Sequence, residues 1–189
     1  LNFYLKYFVL IREWLKESQN EIPEYINENI YYLGQAYAFI WKKNKKDLLF
    51  NGNREGNNNE FDQYLNKLGY NFKNSNNELG GYAILNNKKI ALAMDIGSTP
   101  DKKFSLNYQA GSLSFEILSN GKKLICNSGY FQDFNHKLNT LSKSSAVHST
   151  LTLDDTSSCK FTKGLHSRIS QGLKIIRKNI VFEKNYWKI

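Results

Sequence analysis

The sequence is poor in the residues that mark the most easily recognised sites. Two cysteines without CxxC spacing exclude a disulfide framework and a cysteine-rich zinc array. The glycines form neither a dinucleotide-binding fingerprint nor a P-loop, and HExxH and GxSxG are also absent. These absences exclude the commonest nucleotide-binding, zinc-protease and serine-hydrolase classes.

Long hydrophobic runs are also missing. The most apolar stretch, residues 3–15, is interrupted by Lys6, Arg12 and Glu13. It is shorter than the roughly 20 apolar residues that span a bilayer, so we expect a core helix and no membrane span. Burial is the usual state of unpaired cysteine, and we expect both Cys126 and Cys159 to be buried thiols, with a disulfide only if their strands are neighbours.

What the chain does contain is enough apolar surface for a core and an excess of positive charge. Hydrophobic residues make up 41% of the 189 residues, which argues against disorder. The formal net charge is +9, with lysine pairs such as Lys88-Lys89 and Lys122-Lys123 at predicted turns. A solvated surface explains this charge, and so does attraction to an acidic polysaccharide or a nucleic acid. Charge alone does not separate these alternatives.

The first part of the chain has helical periodicity. Apolar residues recur three and four positions apart over residues 3–15 and again over residues 26–41, which predicts two amphipathic helices. Together they carry more aromatic surface than two helices can hide from each other, so we expect a further layer to cover them. Residues 61–68 predict a third, short helix that ends at Gly69.

The period then changes to that of strands. We place a domain boundary in the polar break at residues 74–77, giving a helical segment over residues 1–76 and a β-domain over residues 77–189. Asn120-Gly121 predicts a type I′ turn between two strands. Leu113, Phe115 and Ile117 alternate with Ser112, Ser114 and Glu116, which predicts that the apolar set is buried and the polar set is exposed. Further strands are predicted at residues 151–154, 159–162, 173–176 and 180–182.

The predicted fold class is therefore α+β: helices followed by an antiparallel, sandwich-like β-domain. An acid pair and three histidines are the candidate reactive groups of the β-domain. Asp154-Asp155 is more typical of a turn, and His136 and His166 lie in polar stretches where we expect exposure. His148 differs, because it stands where a loop leads into a predicted strand, and a structural and a functional role both remain open.

Three stretches of the β-domain resemble motifs of one family. The stretches are QAGSLSFEI, GKKLICNSG and SSAVHSTLTLDD. They resemble, in the same order, an HxHAD-containing strand, a strand ending in Asp-x-Gly and an AHNTL strand of the heparinase II/III-like polysaccharide lyases. The helices and DLLFNGNREG resemble the end of that family's α/α toroid. The resemblance implies that the chain is a fragment of a longer protein, located in the periplasm or cell envelope, acting on an acidic polysaccharide by β-elimination.

The resemblance also implies where a site lies. His148 matches the family's histidine and is the implied catalytic residue, while Tyr108, Gln109 and Asn127 are the implied substrate-binding residues. Gln109 and Asn127 stand where the family has histidine and aspartate, so the zinc that some members bind has lost its ligands. We therefore expect a degenerate metal site with no tightly bound metal or other cofactor.

Two alternatives to a lyase remain. The first is a non-catalytic carbohydrate-binding or structural β-domain, in which the amides hold a glycan without cleaving it. The second is a nucleic-acid-binding module, which charge alone supports, because no RRM, KH or OB-like signature is present.

Overall fold

The computed structural model describes residues 1–42, 45–56, 58–183 and 186–189. The chain divides into two compact units. The first comprises Leu1–Lys45 and Gly56–Asn76, and the second comprises Lys46–Glu55 and Asn77–Ile189. Residues 46–55, which the sequence places in the helical segment, thus belong to the unit that holds the sheets.

The first unit is built from three helices. Helix α1 spans Asn2–Glu17, α2 spans Glu24–Tyr37 and continues into one π-helical turn, and α3 spans Asn59–Lys67. All three occur where the apolar periodicity predicts them. Gly69 has a φ of 82°, the left-handed conformation expected of a glycine just beyond a helix. The buried core consists of Leu5, Val9, Ile26, Ile30, Tyr37, Trp41 and Leu65.

These helices leave much aromatic surface uncovered. Phe3 and Tyr4 at the start of α1 are 66% and 63% exposed, and Tyr32 on α2 is 69% exposed. Trp14 is also exposed. The packing of the first unit therefore leaves the excess of aromatic surface that the sequence predicts. Among the described residues, no helix is both long enough and apolar enough to cross a membrane.

The second unit contains a five-stranded antiparallel sheet in which the strands follow chain order. Its strands are β1 (Glu78–Leu79), β2 (Tyr82–Asn86), β3 (Ile90–Asp95), β4 (Phe115–Ser119) and β5 (Lys122–Ile125). Asn120 and Gly121 join β4 to β5 with φ values of 48° and 73°. Both are positive, as a type I′ turn requires, so the predicted hairpin is confirmed.

The buried face of β4 is the opposite of the predicted one. Ser114 and Glu116 are 1% and 0% exposed, whereas Leu113, which was expected inside, is 37% exposed. Burial of Glu116 is supported through one of its two carboxylate oxygens: Oε1 accepts hydrogen bonds from the backbone N–H groups of Leu49 and Asn127. Alternation in the sequence identified two faces but not which of them the rest of the chain covers.

The remaining strands are short. They form two two-stranded antiparallel sheets, β6 (Lys160–Phe161) with β7 (Ile169–Gln171) and β8 (Val181–Phe182) with β9 (Trp187–Lys188). The α+β class with antiparallel sheets is confirmed. Helix α4 (Lys137–Ser142) and two 3₁₀ turns, Lys102–Phe104 and Ser145–Val147, lie in the connections.

Two predicted strands are wrong. Residues 151–154 do not form a strand. Asp154 and Asp155 form a turn, as expected of this acid pair, with φ values of 49° and 52°. Residues 173–176 lie outside any strand, and the N–H groups of Leu173 and Ile175 donate to side chains. Leu173 N donates to Thr99 Oγ1 at 2.7 Å, and Ile175 N donates to Ser98 Oγ at 2.9 Å.

The two cysteines are free thiols, and only one is buried. Cys159 is 5% exposed and belongs to a small core with Tyr108, Ala110 and Ile169. Cys126 is exposed, contrary to prediction, because it follows the edge strand β5.

Candidate functional site

Gln109 lies at the junction of three chain segments. Its side chain is 1% exposed, and its Oε1 accepts a hydrogen bond from Gly52 N at 3.1 Å. Its Nε2 donates to Gly129 O at 3.0 Å and to Ser142 O at 2.6 Å. Both amide hydrogens are therefore used within the protein. The structure gives Gln109 a structural role and leaves it no N–H for a bound sugar.

The segment that Gln109 holds is a tight turn at residues 50–53. Asn51 and Gly52 both have positive φ values, 38° and 85°. A Cβ on Gly52 would lie 2.8 Å from Cβ of Asn107, so only glycine fits this close approach. The turn presents Asn51 Nδ2 to two acceptors, Tyr82 Oη at 2.9 Å and Asp95 Oδ2 at 2.8 Å.

His148 follows the 3₁₀ turn Ser145–Val147 and is half-buried. Its Nε2 lies 3.2 Å from Ser142 O, the same carbonyl that accepts a hydrogen bond from Gln109. Burial lowers the pKa of His148, which favours the neutral ring. Since a carbonyl can only accept, Nε2 carries the hydrogen, and the Nδ1 lone pair is the position that can take up a proton.

Asn127 is buried next to a buried carboxylate. It is 2% exposed, its Oδ1 accepts a hydrogen bond from Ser149 N at 3.0 Å, and its own N–H donates to Glu116 Oε1 at 3.0 Å. Burial raises the pKa of Glu116. Three buried polar atoms here lack a hydrogen-bond partner among the described residues: Glu116 Oε2, Asn127 Nδ2 and Lys123 Nζ. Lys123 Nζ does lie 3.1 Å from Glu55, an ion-pair contact without hydrogen-bond geometry.

Tyr108 is the predicted site residue that lines a cavity. The cavity has a volume of about 270 Å³, and Asn51, Tyr82, Asp95 and Phe104 also line it. Burial raises the pKa of Tyr108 to about 12, and its hydroxyl lies 3.2 Å from Ser112 Oγ. Burial likewise raises the pKa of Asp95 to about 6, although Gly97 N and Asn51 donate hydrogen bonds to its carboxylate.

The four predicted residues therefore have different surroundings. Gln109 and His148 meet at the Ser142 carbonyl, and Asn127 is bonded to the residue that follows His148. Tyr108 faces the cavity instead. Of the four, Asn127 keeps only its buried Nδ2, whereas His148 and Tyr108 keep a group that can act on a ligand.

Comparison with known proteins identifies the domain. The family profile described as "Heparinase II/III-like, C-terminal" matches residues 74–189, which is more than half of the chain. The chain belongs to the heparinase II/III-like family. No curated protein sequence matches it significantly.

Solved structures of heparinase II/III-like proteins share the fold. The heparan sulfate lyase HepC from Pedobacter heparinus matches with a TM-score of 0.63 at 16% identity, over 86% of this chain and 31% of its own. The heparinase III BT4657 gene product with methylated lysines matches with a TM-score of 0.58 at 17% identity, over 72% of this chain and 25% of its own. The chain thus spans between a quarter and a third of these proteins.

The zinc that the family resemblance implies does not fit the residues present. A zinc ligand must direct a lone pair at the metal, but Gln109 Oε1 and Asn127 Oδ1 direct theirs at the N–H groups of Gly52 and Ser149. Nε2 of His148 is likewise engaged with a carbonyl. Within the described residues, no three His, Cys, Asp or Glu side chains form a group that could hold a metal ion.

Sequence reasoning missed Asp95, Asn51 and Glu116. Asp95 ends the apolar strand β3 in the run ALAMDIG, and an acid between buried apolar residues is a signal that could have been used. The residues around Asn51, in the run FNGN, predict only a turn. Glu116 was assigned to the solvent face, and nothing in the local pattern contradicted that assignment.

Proposed function

We propose that the protein is a polysaccharide lyase that cleaves a uronate-containing polysaccharide by β-elimination. The observation that carries this proposal is the match of residues 74–189 to the heparinase II/III-like family. The names of structural neighbours support it, because HepC is described as a heparan sulfate lyase. The net charge of +9 suits an anionic glycan.

Such a reaction needs three contributions. The uronate carboxylate must be neutralised so that the adjacent C5 proton becomes acidic, a base must remove that proton, and an acid must protonate the departing oxygen. Because zinc does not fit this site, hydrogen-bond donors and cationic side chains would have to neutralise the carboxylate. His148 suits a proton-transfer role, since burial favours its neutral form and its Nδ1 keeps a lone pair. The periplasmic or cell-envelope location is part of the same proposal.

A second candidate function is carbohydrate binding without cleavage. The observation that favours it is that Gln109 and Asn127 use their polar groups inside the protein, the former entirely. A domain whose metal ligands had been replaced by residues with structural roles would still bind a glycan at its surface but would not catalyse the cleavage.

One experiment separates the two. The full-length protein that carries this chain is incubated with heparan sulfate, other uronate polysaccharides and a neutral glucan, and the ultraviolet absorbance of unsaturated uronate ends is followed. We expect absorbance to rise with at least one uronate polysaccharide and not with the glucan. Binding of such a polysaccharide with no unsaturated product from any would refute the lyase proposal and favour the binding domain.

A further inference from the structure

Two cavities lie side by side at the end of β3. The first, of about 270 Å³, is the one that Tyr108 lines, and we call it the Asp95 cavity. The second, of about 310 Å³, is lined by Arg177 and its neighbours, and we call it the Arg177 cavity. Gly97 and Ser98 belong to both walls. Since sites for drug-sized ligands start at about 300 Å³, each cavity has room for about one sugar ring.

The Asp95 cavity has the chemistry of a site for a neutral sugar. Each oxygen of the Asp95 carboxylate accepts one hydrogen bond from the protein, from Gly97 N and from Asn51 Nδ2, and keeps a lone pair for a sugar hydroxyl. The Tyr82 hydroxyl accepts from the same Asn51 amide and keeps its own hydrogen to donate. Phe104, which is 71% exposed, adds an aromatic wall for the apolar face of a ring.

The Arg177 cavity has the opposite charge. Arg177 is exposed and forms no ion pair with any residue in the described parts of the chain. Lys178, beside it, is paired with Glu78. An unpaired guanidinium at a cavity wall suits a carboxylate or a sulfate, to which it can donate two parallel hydrogen bonds.

We propose that the two cavities are adjoining subsites for one glycan, with a neutral sugar in the Asp95 cavity and the acidic group of the next sugar at Arg177. The inference rests on the proposed function in taking an acidic polysaccharide as the ligand. It adds that Asp95 and Arg177 determine which sugar each cavity takes, with a neutral sugar at Asp95 and an acidic one at Arg177. A polymer made only of uronic acids would place a carboxylate against Asp95, and like charges at close range disfavour binding.

The test uses the full-length protein and three disaccharides, titrated by calorimetry at low and at raised salt. The probes are glucuronic acid linked to N-acetylglucosamine, the neutral N-acetylglucosamine dimer, and digalacturonic acid. Phe104→Ala and Arg177→Ala probe the two cavities. Their matched controls are Leu151→Ala, which removes an apolar side chain 72% exposed elsewhere, and Lys174→Ala, which removes one exposed charge from the same segment as Arg177.

We expect the mixed disaccharide to bind more tightly than either of the others. Phe104→Ala should weaken both the mixed and the neutral disaccharide by about fivefold or more, because an aromatic contact is lost. Arg177→Ala should weaken the mixed disaccharide by about fivefold and leave the neutral disaccharide unchanged, and raised salt should shrink that difference. The proposal is overturned if digalacturonic acid binds as tightly as the mixed disaccharide, or if Phe104→Ala and Arg177→Ala behave as their controls do.

The outcome is independent of the lyase assay. If the binding pattern appears but no unsaturated uronate product forms, the lyase proposal fails and the subsites stand. If product forms but neither Phe104→Ala nor Arg177→Ala changes the affinity for the mixed disaccharide, the subsites fail and the lyase proposal stands.

Discussion

Asp95 makes a sharp prediction about stability and pH. Its carboxyl is 4% exposed, and burial raises its pKa from 3.8 to about 6. The folded protein therefore holds a proton on Asp95 in a pH range where the unfolded chain has released it. Because the folded state binds more protons there, the contribution of Asp95 to stability is fully present below the unfolded pKa and is lost as the pH rises through about 6.

The size of the effect follows from the two pKa values. A pKa of about 6 against 3.8 corresponds to about 3 kcal/mol, since one pKa unit is worth about 1.4 kcal/mol. Ionised Asp95 thus lowers the free energy of unfolding by about 3 kcal/mol at neutral pH relative to acid. Asp95→Asn removes the titration but places an amide N–H against the Asn51 amide. That clash lowers stability by the same amount at every pH.

The informative quantity is consequently the change of stability with pH. Urea denaturation followed by circular dichroism, between about pH 4 and about pH 7, gives the free energy of unfolding of wild type and Asp95→Asn. Wild type should lose about 2.5 kcal/mol more than the variant across this range, while other buried groups such as Glu116 and His148 contribute equally to both. Asp154→Asn, at an exposed turn, is the control and should follow wild type. Equal pH dependence in wild type and Asp95→Asn would refute the reasoning.

Three further predictions concern other residues. His148→Ala should lower the rate of unsaturated uronate release by about a hundredfold or more, whereas His166→Ala, which removes an exposed ring, should not; equal rates would remove His148 from the site. Gln109→Ala should lower the free energy of unfolding by about 3 kcal/mol, because buried backbone groups that it satisfies each cost about 1–3 kcal/mol when left unpaired; unchanged urea denaturation would contradict this role. A thiol reagent should label Cys126 in the native protein, while Cys159, buried and with its pKa raised to about 12, should react only after unfolding; rapid labelling of both thiols would contradict the structure.

The elements were predictable where a local pattern determines them. The three helices follow from apolar spacing, and the β4–β5 hairpin follows from Asn120-Gly121, since both signals act within a few residues. The buried face of β4 was not predictable in this way. Glu116 is buried because the N–H groups of Leu49 and Asn127 converge on its carboxylate, and Leu49 is far away in the chain. Burial of a charge is decided by distant partners that no local pattern describes.

The candidate site was predictable only in part, for the same reason. The family resemblance predicted Gln109, Asn127 and His148 as site residues, and the structure brings Gln109 and His148 to one carbonyl, that of Ser142. What the resemblance did not supply was the function of each polar atom. The Asp95 cavity was not predicted because its wall combines Asp95 at the end of β3 with Asn51, which lies in a turn far away in the chain and donates a hydrogen bond to Asp95.

Gln109 and Asn127 stand where the family resemblance implies metal ligands, and their amides suit a different role. A metal ligand must direct a lone pair at a shared point, whereas an amide accepts and donates in different directions. Gln109 uses this capacity to accept from Gly52 and to donate to Gly129 and Ser142, joining three segments that come together around it. Because one of those segments is the turn that places Asn51 against Asp95, the same amide that cannot hold zinc also positions a wall of the Asp95 cavity. The role of Gln109 within the protein and the proposed sugar subsite are therefore linked through the turn that contains Asn51 and Gly52.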